Sequence, residues 1–382
     1  MAIHDTYQFH FEDVICPKTK KVFQRLTPLG VLSHHAYFYN NIFSSDSKQM
    51  IFTSYLDSNK KNFFLLDMEK QTAFQLTGDD DEVGGFGGAI TSDDQYIIVN
   101  LSNKMVRISL STFEREVIYQ PEDGYSTYDT PGLSADGNYM ITMDWLIKDQ
   151  EIPGKIGWER FLEQSKKQIR SKLVLVNLKD KTHQIILDNE HEDYPGVRYK
   201  QWLGHPQFCN VDRHLISYCH EGLGGTVDAR IWFIHDDGTH IQCPRPHDYP
   251  AQIISHEFWL KNSKKIAYVK IEKEDSPYSY IELLDADTLE HSDIVKMPRS
   301  SHFISSHDDR YIIADGDFYE DKLYLYLVDV EAGNYQPLIY HGSISYGRPG
   351  EVHAHPLFDN QDAHIIFTSD FEGNSAIYRV KL

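Results

Sequence analysis

Residues 348–358, which read RPGEVHAHPLF, place two imidazoles and a carboxylate close together. His353 and His355 are two residues apart, so on an extended strand their side chains point to the same face, about 7 Å apart. Glu351 falls on that face as well. Imidazole suits transition metals and carboxylate broadens the choice of ion, so we interpret this segment as half of a divalent-metal site. The alternative is a surface strand with two chance histidines, because the chain has 20 histidines in 382 residues.

Histidines also recur at one position of a repeated unit, in the strand that precedes a polar turn. His205 and His355 lie seven residues before the turn residues of their units, and His256 and His302 lie six before theirs. Blade packing would call for small or apolar side chains at such a position. We therefore predict that the imidazoles of His256, His302, His353 and His355 cluster at one mouth of a central channel.

Arg230, in VDARIWF, opens the strand after the CHEGLGG loop and could join this channel rim. A guanidinium grips a carboxylate with a bidentate fork, although an ion pair with an Asp or Glu of the protein is the alternative. Further candidate substrate contacts lie in the histidine-bearing segments and at one tyrosine, namely His34, His35, Tyr125, His205 and His220.

The repeat that positions these residues predicts the fold. Its clearest copy, residues 43–77, contains short apolar strands separated by turns rich in Asp, Asn and Ser. Equivalent turns recur along the chain at Asp46, Asp94, Asp136, Asp212, Asn262, Asp308 and Asp362. Strands of this length with such punctuation suit four-stranded blades. We predict an all-β, seven-bladed β-propeller of roughly 50 residues per blade that fills residues 1–382 as a single domain.

The two ends of the chain are expected to complete one blade together. The last unit stops after IYRVKL, and KKVFQRLTP near the N-terminus resembles the fourth strand of the first unit. Their pairing would close the ring and remove an exposed sheet edge. Residues 156–172 interrupt the repeat with apolar side chains at helical spacing, which predicts a short helical insertion that packs on the propeller or covers the channel.

Composition excludes several classes of protein. Lys and Arg number 37 against 57 Asp and Glu, a formal net charge of −20. That charge repels polyphosphates and anionic membranes, so we expect neither a nucleic-acid nor a membrane partner. Four scattered cysteines without a CxxC pair do not form a disulfide framework. The N-terminal residues lack the pattern of a signal peptide and no apolar stretch is long enough to span a membrane, so we expect a cytoplasmic protein.

A series of short motifs carries a resemblance to a known family. In chain order they are HHAYFY, GYSTYDT, WERF, GHP, CHEG, VDARIW, SHEFW, SHFIS, VHAHP and FTSDFEG. They span nearly the whole chain and resemble the cytoplasmic oligogalacturonate lyases of pectin-degrading bacteria. The resemblance implies a seven-bladed propeller that holds a divalent ion, manganese in that family. It also implies β-elimination on short galacturonate oligomers, notably digalacturonate and its unsaturated form.

The resemblance also implies roles for individual residues. His256 of SHEFW matches the general base of the family, and Arg230 matches the arginine that works beside it. The three histidine ligands of the ion correspond to His302, His353 and His355.

Two positions depart from the family pattern. Where the family has a glutamine three residues before the first histidine of its HPHP motif, this chain has Gly350, and the adjacent Glu351 is the candidate fourth ligand. A His-Arg pair of the family is here His34-His35, which lacks the guanidinium.

The predicted chemistry suits these residue types. Removal of the C5 proton of a uronate places negative charge beside a carboxylate, and a dication or guanidinium disperses that charge. Neutral imidazole is a suitable base near pH 7. Two other functions are compatible with a propeller. A uronate-active hydrolase would need two carboxylates that flank the scissile bond, and a non-catalytic TolB-like propeller would bind a protein partner.

Overall fold

The computed structural model describes residues 5–56, 58–85, 87–155, 163, 167–189, 202–221, 227–247, 251–316, 319–343 and 352–382. Within these ranges the strands form seven antiparallel sheets, which are the blades of a β-propeller. The predicted all-β, seven-bladed fold is therefore confirmed. No helix in the described part of the chain has the length and apolar character needed to cross a membrane.

The strands share a length of two to ten residues and follow one another with few interruptions. In chain order they are β1 (Thr6–Gln8), β2 (Glu12–Ile15), β3 (Val22–Arg25), β4 (Ser33–His34), β5 (Gln49–Ser54), β6 (Asn62–Asp67), β7 (Thr72–Gln75), β8 (Ala89–Ile90), β9 (Tyr96–Leu101), β10 (Lys104–Ser109), β11 (Arg115–Tyr119), β12 (Tyr125–Thr127), β13 (Gly132–Leu133), β14 (Tyr139–Leu146), β15 (Ser171–Asn177), β16 (His183–Asp188), β17 (Trp202–Cys209), β18 (Asp212–Glu221), β19 (Ile231–His235), β20 (Ile253–Trp259), β21 (Lys265–Ile271), β22 (Tyr278–Asp285), β23 (His291–Pro298), β24 (Ser300–Ser305), β25 (Tyr311–Gly316), β26 (Tyr324–Asp329), β27 (Asn334–Tyr340), β28 (Leu357–Phe358), β29 (His364–Ser369) and β30 (Ala376–Lys381). In the described ranges the helical elements include α1 (Ile147–Gln150) and a 3-10 turn, Glu320–Lys322.

Within each blade, consecutive strands lie side by side. The sheet orders are β1-β7-β6-β5-β4, β11-β10-β9-β8, β12-β14-β15-β16 with β13 beside β14, β17-β18-β19, β20-β21-β22-β23, β24-β25-β26-β27 and β2-β3-β30-β29-β28. The first strands of neighbouring blades are adjacent, as β17 is to β20, β20 to β24 and β24 to β28. These inner strands surround the central channel.

Burial changes from the inside of a blade to its outside. Central strands such as β9, with the sequence YIIVNL, are buried at nearly every position because neighbouring blades cover both of their faces. An outer strand such as β27 begins with four exposed residues. Side chains that do chemistry are therefore accessible mainly from the channel.

The turns after the inner strands follow the predicted repeat. In the first blade Ser44 Oγ donates to Asp46 Oδ1 at 2.7 Å, and the same oxygen accepts the N–H of Lys48 at 3.0 Å. Ser134 with Asp136 and Ser306 with Asp308 form the same contact. In these three turns the Asp side chain satisfies a backbone donor of its own turn. In the second blade Asp93 makes this contact with Thr91, and the predicted turn residue Asp94 binds Ser45 of the first blade instead.

The ring is closed by the N-terminal strands, as predicted. Strand β3 pairs with β30, with Gln24 opposite Arg379 and Arg25 opposite Tyr378. Strand β1 is added to the outer edge of the first blade beside β7. This arrangement joins the first and last parts of the chain in one sheet.

The predicted helical insertion over residues 156–172 is wrong at its C-terminal boundary. Ser171 and Lys172 already belong to β15, where they pair with β14. Residues 156–162 and 164–166 lie outside the described residues, so the helix itself stays a prediction.

Candidate metal centre and active site

The inner strands are distorted at the histidine position of the repeat. In β17, β20 and β24 the pairing register shifts between the residue pairs Gly204/Gln207, Ser255/Phe258 and Ser300/Phe303. Such β-bulges redirect the side chain of the extra residue. His205 and His256 have φ values of +47° and +55°, a backbone conformation that few residues other than glycine adopt. The bulges bring His205, His256 and His302 to the channel side of three different blades.

Three of the predicted metal ligands meet in one place. The ring of His302 lies 4.2 Å from that of His355 and 5.3 Å from that of His353, measured between centroids. Nitrogen atoms from all three imidazoles lie within 4.8 Å of one another. Together with His256, whose ring is 4.8 Å from His302, they form the predicted cluster of four.

The local reason for the convergence of His353 and His355 differs from the prediction. The described residues 352–356 form no strand, and His355 has a φ of +42°. The extended strand predicted here is therefore wrong. The left-handed backbone at His355 lets the two rings approach to 5.0 Å.

A buried carboxylate orients His302. Asp315, on β25, accepts a hydrogen bond from Nδ1 of His302 at 2.8 Å, and it also accepts the backbone N–H groups of Ser301 and His302 at 3.1 and 2.9 Å. With Nδ1 bound in this way, Nε2 is the nitrogen available to a metal. Sequence reasoning missed Asp315.

His302, His353 and His355 fit a divalent transition metal. Burial lowers the pKa of His302, and Asp315 offsets only part of that effect. Burial likewise lowers the pKa of His355 well below its usual value, and the neighbouring imidazoles lower it further. Neutral imidazoles are the form that ligates metals, and a carboxylate behind one of them is the usual supporting partner. Glu351, the predicted fourth ligand, lies outside the described residues.

The predicted base, His256, lies against this cluster. Its Nδ1 is 2.9 Å from the hydroxyl of Ser255. Burial lowers its pKa well below the usual value, and the proximity of His302 and Arg230 adds to the effect. The ring is therefore held in the neutral form.

Arg230 is clamped between two carboxylates. Its Nε donates to Glu257 at 2.8 Å and its Nη1 donates to Glu221 at 2.8 Å, with the side chain 4% exposed. Burial lowers the pKa of Arg230, but the two carboxylates outweigh it and raise the pKa well above its ordinary value. Arg230 therefore forms ion pairs within the protein, and it also lies close enough to His256 to lower the pKa of that histidine.

A group of tyrosines that sequence reasoning did not single out surrounds His205. Tyr37 stacks on the His205 ring at 5.6 Å and meets the His355 ring edge-on at 4.9 Å. The hydroxyls of Tyr39 and Tyr128 lie 3.3 and 3.4 Å from Nδ1 of His205. Two of these tyrosines belong to the HHAYFY motif, so the motif itself was the available signal.

The tandem histidines of the first blade have different environments. His34 is half-buried, and its Nε2 lies 3.2 Å from the Ser375 hydroxyl. Burial lowers its pKa to about 3. His35 is 2% exposed, and its two ring nitrogens lie 2.8 and 3.2 Å from the backbone carbonyls of Ala36 and Ala354. His35 therefore links the first blade to the segment that bears the tandem ligands.

His220 and Tyr125 are packed against other parts of their blades. His220 is 0% exposed, with the Trp232 ring 5.2 Å away. Because side chains alternate along a strand, its neighbour Glu221 points to the opposite face, toward Arg230. The ring of Tyr125 lies 4.4 Å from the ammonium of Lys172. His220 is a predicted substrate contact, but the structure places its neighbour Glu221 toward Arg230. Tyr125 is likewise predicted, but Tyr128 is the tyrosine of the GYSTYDT motif that contacts His205.

The fold and the site define a class: a β-propeller whose inner strands gather imidazoles into a candidate divalent-metal centre beside a buried Arg–Glu network. The family model described as oligogalacturonate lyase matches residues 1–382. The chain therefore belongs to the oligogalacturonate lyase family and is an enzyme of this type.

Individual relatives agree with this assignment. The chain is 33% identical over 376 residues to the oligogalacturonate lyase of Dickeya dadantii strain 3937, covering 94% of this chain and 92% of the relative. It is 31% identical over 375 residues to the oligogalacturonide lyase of Pectobacterium atrosepticum, with the same coverage of 94% and 92%. A solved structure of an oligogalacturonate lyase in complex with manganese superimposes with a TM-score of 0.90 at 30% identity, covering 100% of this chain and 98% of that chain.

Proposed function

We propose that this chain cleaves short galacturonate oligomers, digalacturonate and its unsaturated form, by metal-dependent β-elimination. The observation that carries the proposal is the position of His256 beside the cluster of His302, His353 and His355, with 4.8 Å between the His256 and His302 rings. The manganese complex of a similar protein supports Mn²⁺ as the ion.

His256 would remove the C5 proton. Its Nδ1 faces the Ser255 hydroxyl, which leaves Nε2 to accept the proton from the substrate. The low pKa that burial imposes keeps this nitrogen unprotonated at neutral pH. A positioned base of this kind contributes about 10²–10⁴-fold to the rate.

The ligands of the ion would be His302, His353, His355 and, as the predicted fourth, Glu351. A divalent ion bound there supplies positive charge that stabilises the negative charge developing on the substrate carboxylate as the C5 proton leaves. Arg230 contributes a second positive charge near His256, where it lowers the pKa of the base.

The four histidines among the predicted substrate contacts divide into two groups. His34 and His205 are partly exposed and can touch a bound sugar, whereas His35 and His220 are almost fully buried and would act through the backbone that they support. A hydrolase would need two carboxylates on either side of the bond. Glu221 and Glu257 both bind Arg230 instead, which favours elimination.

The proposal is tested with digalacturonate as substrate and ultraviolet absorbance as the readout, because loss of the C4 oxygen leaves a C4–C5 double bond. We expect absorbance to rise with Mn²⁺-loaded protein. Exhaustive chelation should reduce the rate at least as much as His256→Ala, and added Mn²⁺ should restore it. Full activity in protein verified to be metal-free would contradict the proposal.

A further inference from the structure

The proposed reaction needs a proton donor as well as a base. In the chair form of α-D-galacturonate the C5–H bond and the C4–O4 bond are axial on opposite faces of the ring. A base that approaches C5 from one face cannot also protonate O4 on the other. The oxygen that leaves belongs to the neighbouring sugar and is a poor leaving group without a proton, so a second group must supply one.

His205 lies in the same channel as the base but outside the ligand cluster. Its side chain is 22% exposed, and a charge on it affects both His256 and His302. Tyr37 stacks on one face of its ring, and two tyrosine hydroxyls lie at its Nδ1 edge. The ring is therefore fixed in orientation and still reachable from the channel.

A carboxylate lies at the Nε2 edge of this ring. Oε2 of Glu221 lies 3.4 Å from Nε2 of His205, while Oε1 of the same side chain binds Arg230 at 2.8 Å. Burial raises the pKa of Glu221, but Arg230 and His205 outweigh it and hold the pKa well below the ordinary value. Glu221 is thus ionised, and its Oε2 is placed to accept a hydrogen bond from an N–H at Nε2 of His205.

A second metal site is an alternative role for His205 and Glu221. Ligand atoms of these two residues and of Cys219 lie within 4.8 Å of one another. Two features oppose that interpretation. A guanidinium already binds Glu221, and a dication would be repelled by it. Burial also raises the pKa of the Cys219 thiol well above its usual value, so the thiolate that a metal prefers is not formed.

We propose that His205, positioned by Glu221, donates the proton to the leaving oxygen; this role rests on the proposed function. His256 takes the C5 proton, and the C5–H electron pair becomes the second bond between C4 and C5. The C4–O4 bond breaks with its electron pair on oxygen, which receives the proton from Nδ1 of the His205 imidazolium. The reaction ends with His256 protonated and His205 neutral, and exchange with water restores both.

This role is tested with two substrates whose leaving groups differ in their need for a proton. Digalacturonate releases an alkoxide that needs one, whereas 4-O-(4-nitrophenyl)galacturonate releases a stable phenolate that does not. For His205→Gln we expect kcat on digalacturonate to fall about 10²–10⁴-fold but less than about tenfold on the aryl ether. Glu221→Gln should change the two rates in the same unequal way, and His256→Gln should lose both. 4-Deoxy-4-fluorogalacturonate, which releases fluoride, gives the same comparison with a small leaving group.

Two controls make the outcome decisive. His214→Gln alters an exposed histidine on the same strand as Glu221, bound to Asp236 at 2.9 Å, and should leave both rates unchanged. Manganese content should stay the same in the His205 and Glu221 variants. Equal losses on the paired substrates, no loss on either, or loss of bound metal in the His205 variant would overturn the proposal. A wild-type protein that cleaves neither substrate would instead refute the proposed function.

Discussion

Histidines at equivalent positions of the repeat have different hydrogen-bonding neighbours, and these neighbours suit them to different roles. His302 has the buried Asp315 behind Nδ1 and offers Nε2 to a metal. His205 has Glu221 beside Nε2 and is the proposed proton donor. His256 has only a neutral hydroxyl at Nδ1 and is suited to accept one. The residue type is the same in each case, and the neighbouring oxygen decides the chemistry.

The proposed role of His256 as base predicts a specific kinetic effect. His256→Ala should lower kcat on digalacturonate about 10²–10⁴-fold, because the methyl side chain of alanine cannot accept the proton. Manganese content and thermal stability should be close to those of the wild type. His214→Ala, at an exposed position, is the matched control. A variant that retains the wild-type rate would show that another group removes the proton.

The contact between Asp315 and His302 predicts an effect on metal affinity. Asp315→Asn should weaken Mn²⁺ binding about 10–100-fold, because outer partners orient ligating histidines and raise their basicity. Isothermal titration calorimetry measures the affinity, and activity should recover in part at high Mn²⁺. Asp308→Asn, in the turn of the same blade, should leave the affinity unchanged. Equal Mn²⁺ affinities for the two variants would show that Asp315 does not support metal binding.

At the scale of elements, the β-bulge and strand alternation determine which side chains reach the channel. Strand β18 directs Glu221 toward Arg230 and buries His220 on its other face. In β20 the bulge presents His256 and places the following residue, Glu257, on Arg230. Two adjacent blades thus share one guanidinium, which lies between Glu257, the neighbour of the proposed base, and the His205–Glu221 pair.

Strand β14 carries a carboxyl group whose titration should be visible in stability. Burial raises the pKa of Asp144 to about 6, against contacts with the hydroxyls of Tyr119 and Thr127 that lower it. The folded protein therefore binds this proton more tightly than the unfolded chain, whose Asp titrates at about 3.9. The contribution is present below about pH 4 and is lost as the pH rises through about 6.

Asp144→Asn should remove this dependence, because the amide resembles the protonated acid. The free energy of unfolding of the variant minus that of the wild type should become more positive between pH 4 and pH 7 in urea titrations. Asp136→Asn is a control in which the carboxyl pKa is shifted in the opposite direction. Burial raises the pKa of Asp136, but hydrogen bonds from Ser134 and Asn138 outweigh burial and lower the pKa. A difference independent of pH at position 144 would contradict the prediction.

At the scale of the whole molecule, stability depends on ring closure by the N-terminal strands. Phe23 on β3 is 2% exposed and packs against the rings of Phe367, Phe371 and Tyr378 at 5.8, 5.4 and 5.4 Å. Beside this cluster, Arg25 binds Glu372 at 2.8 Å. The closing sheet therefore has a packed core of its own.

Phe23→Ala should lower the free energy of unfolding by about 3–5 kcal/mol, the usual cost of truncating a buried aromatic ring. Val22→Ala, one residue earlier on the same strand and 56% exposed, should change it by less than about 0.5 kcal/mol. Urea denaturation measures both values. Similar small effects for the two variants would mean that β3 contributes little to closure.

Sequence alone determined the features that repeat or are local. The polar turns, the apolar strands and the histidine position recur along the chain, and the closing strand resembles the fourth strand of the first unit. Each feature follows from the backbone and side chains of a short segment. The predicted cluster of four histidines followed from the repeat, because equivalent positions of successive blades meet around one channel.

Only the tertiary structure decided the partners of these residues. Tyr39 and His205 are 166 residues apart along the chain, and their contact exists only because the first and fourth blades face each other across the channel. The clamp on Arg230 by Glu221 and Glu257 likewise spans two blades. Such contacts depend on how blades pack and where strands bulge, and no local pattern in the sequence encodes that geometry.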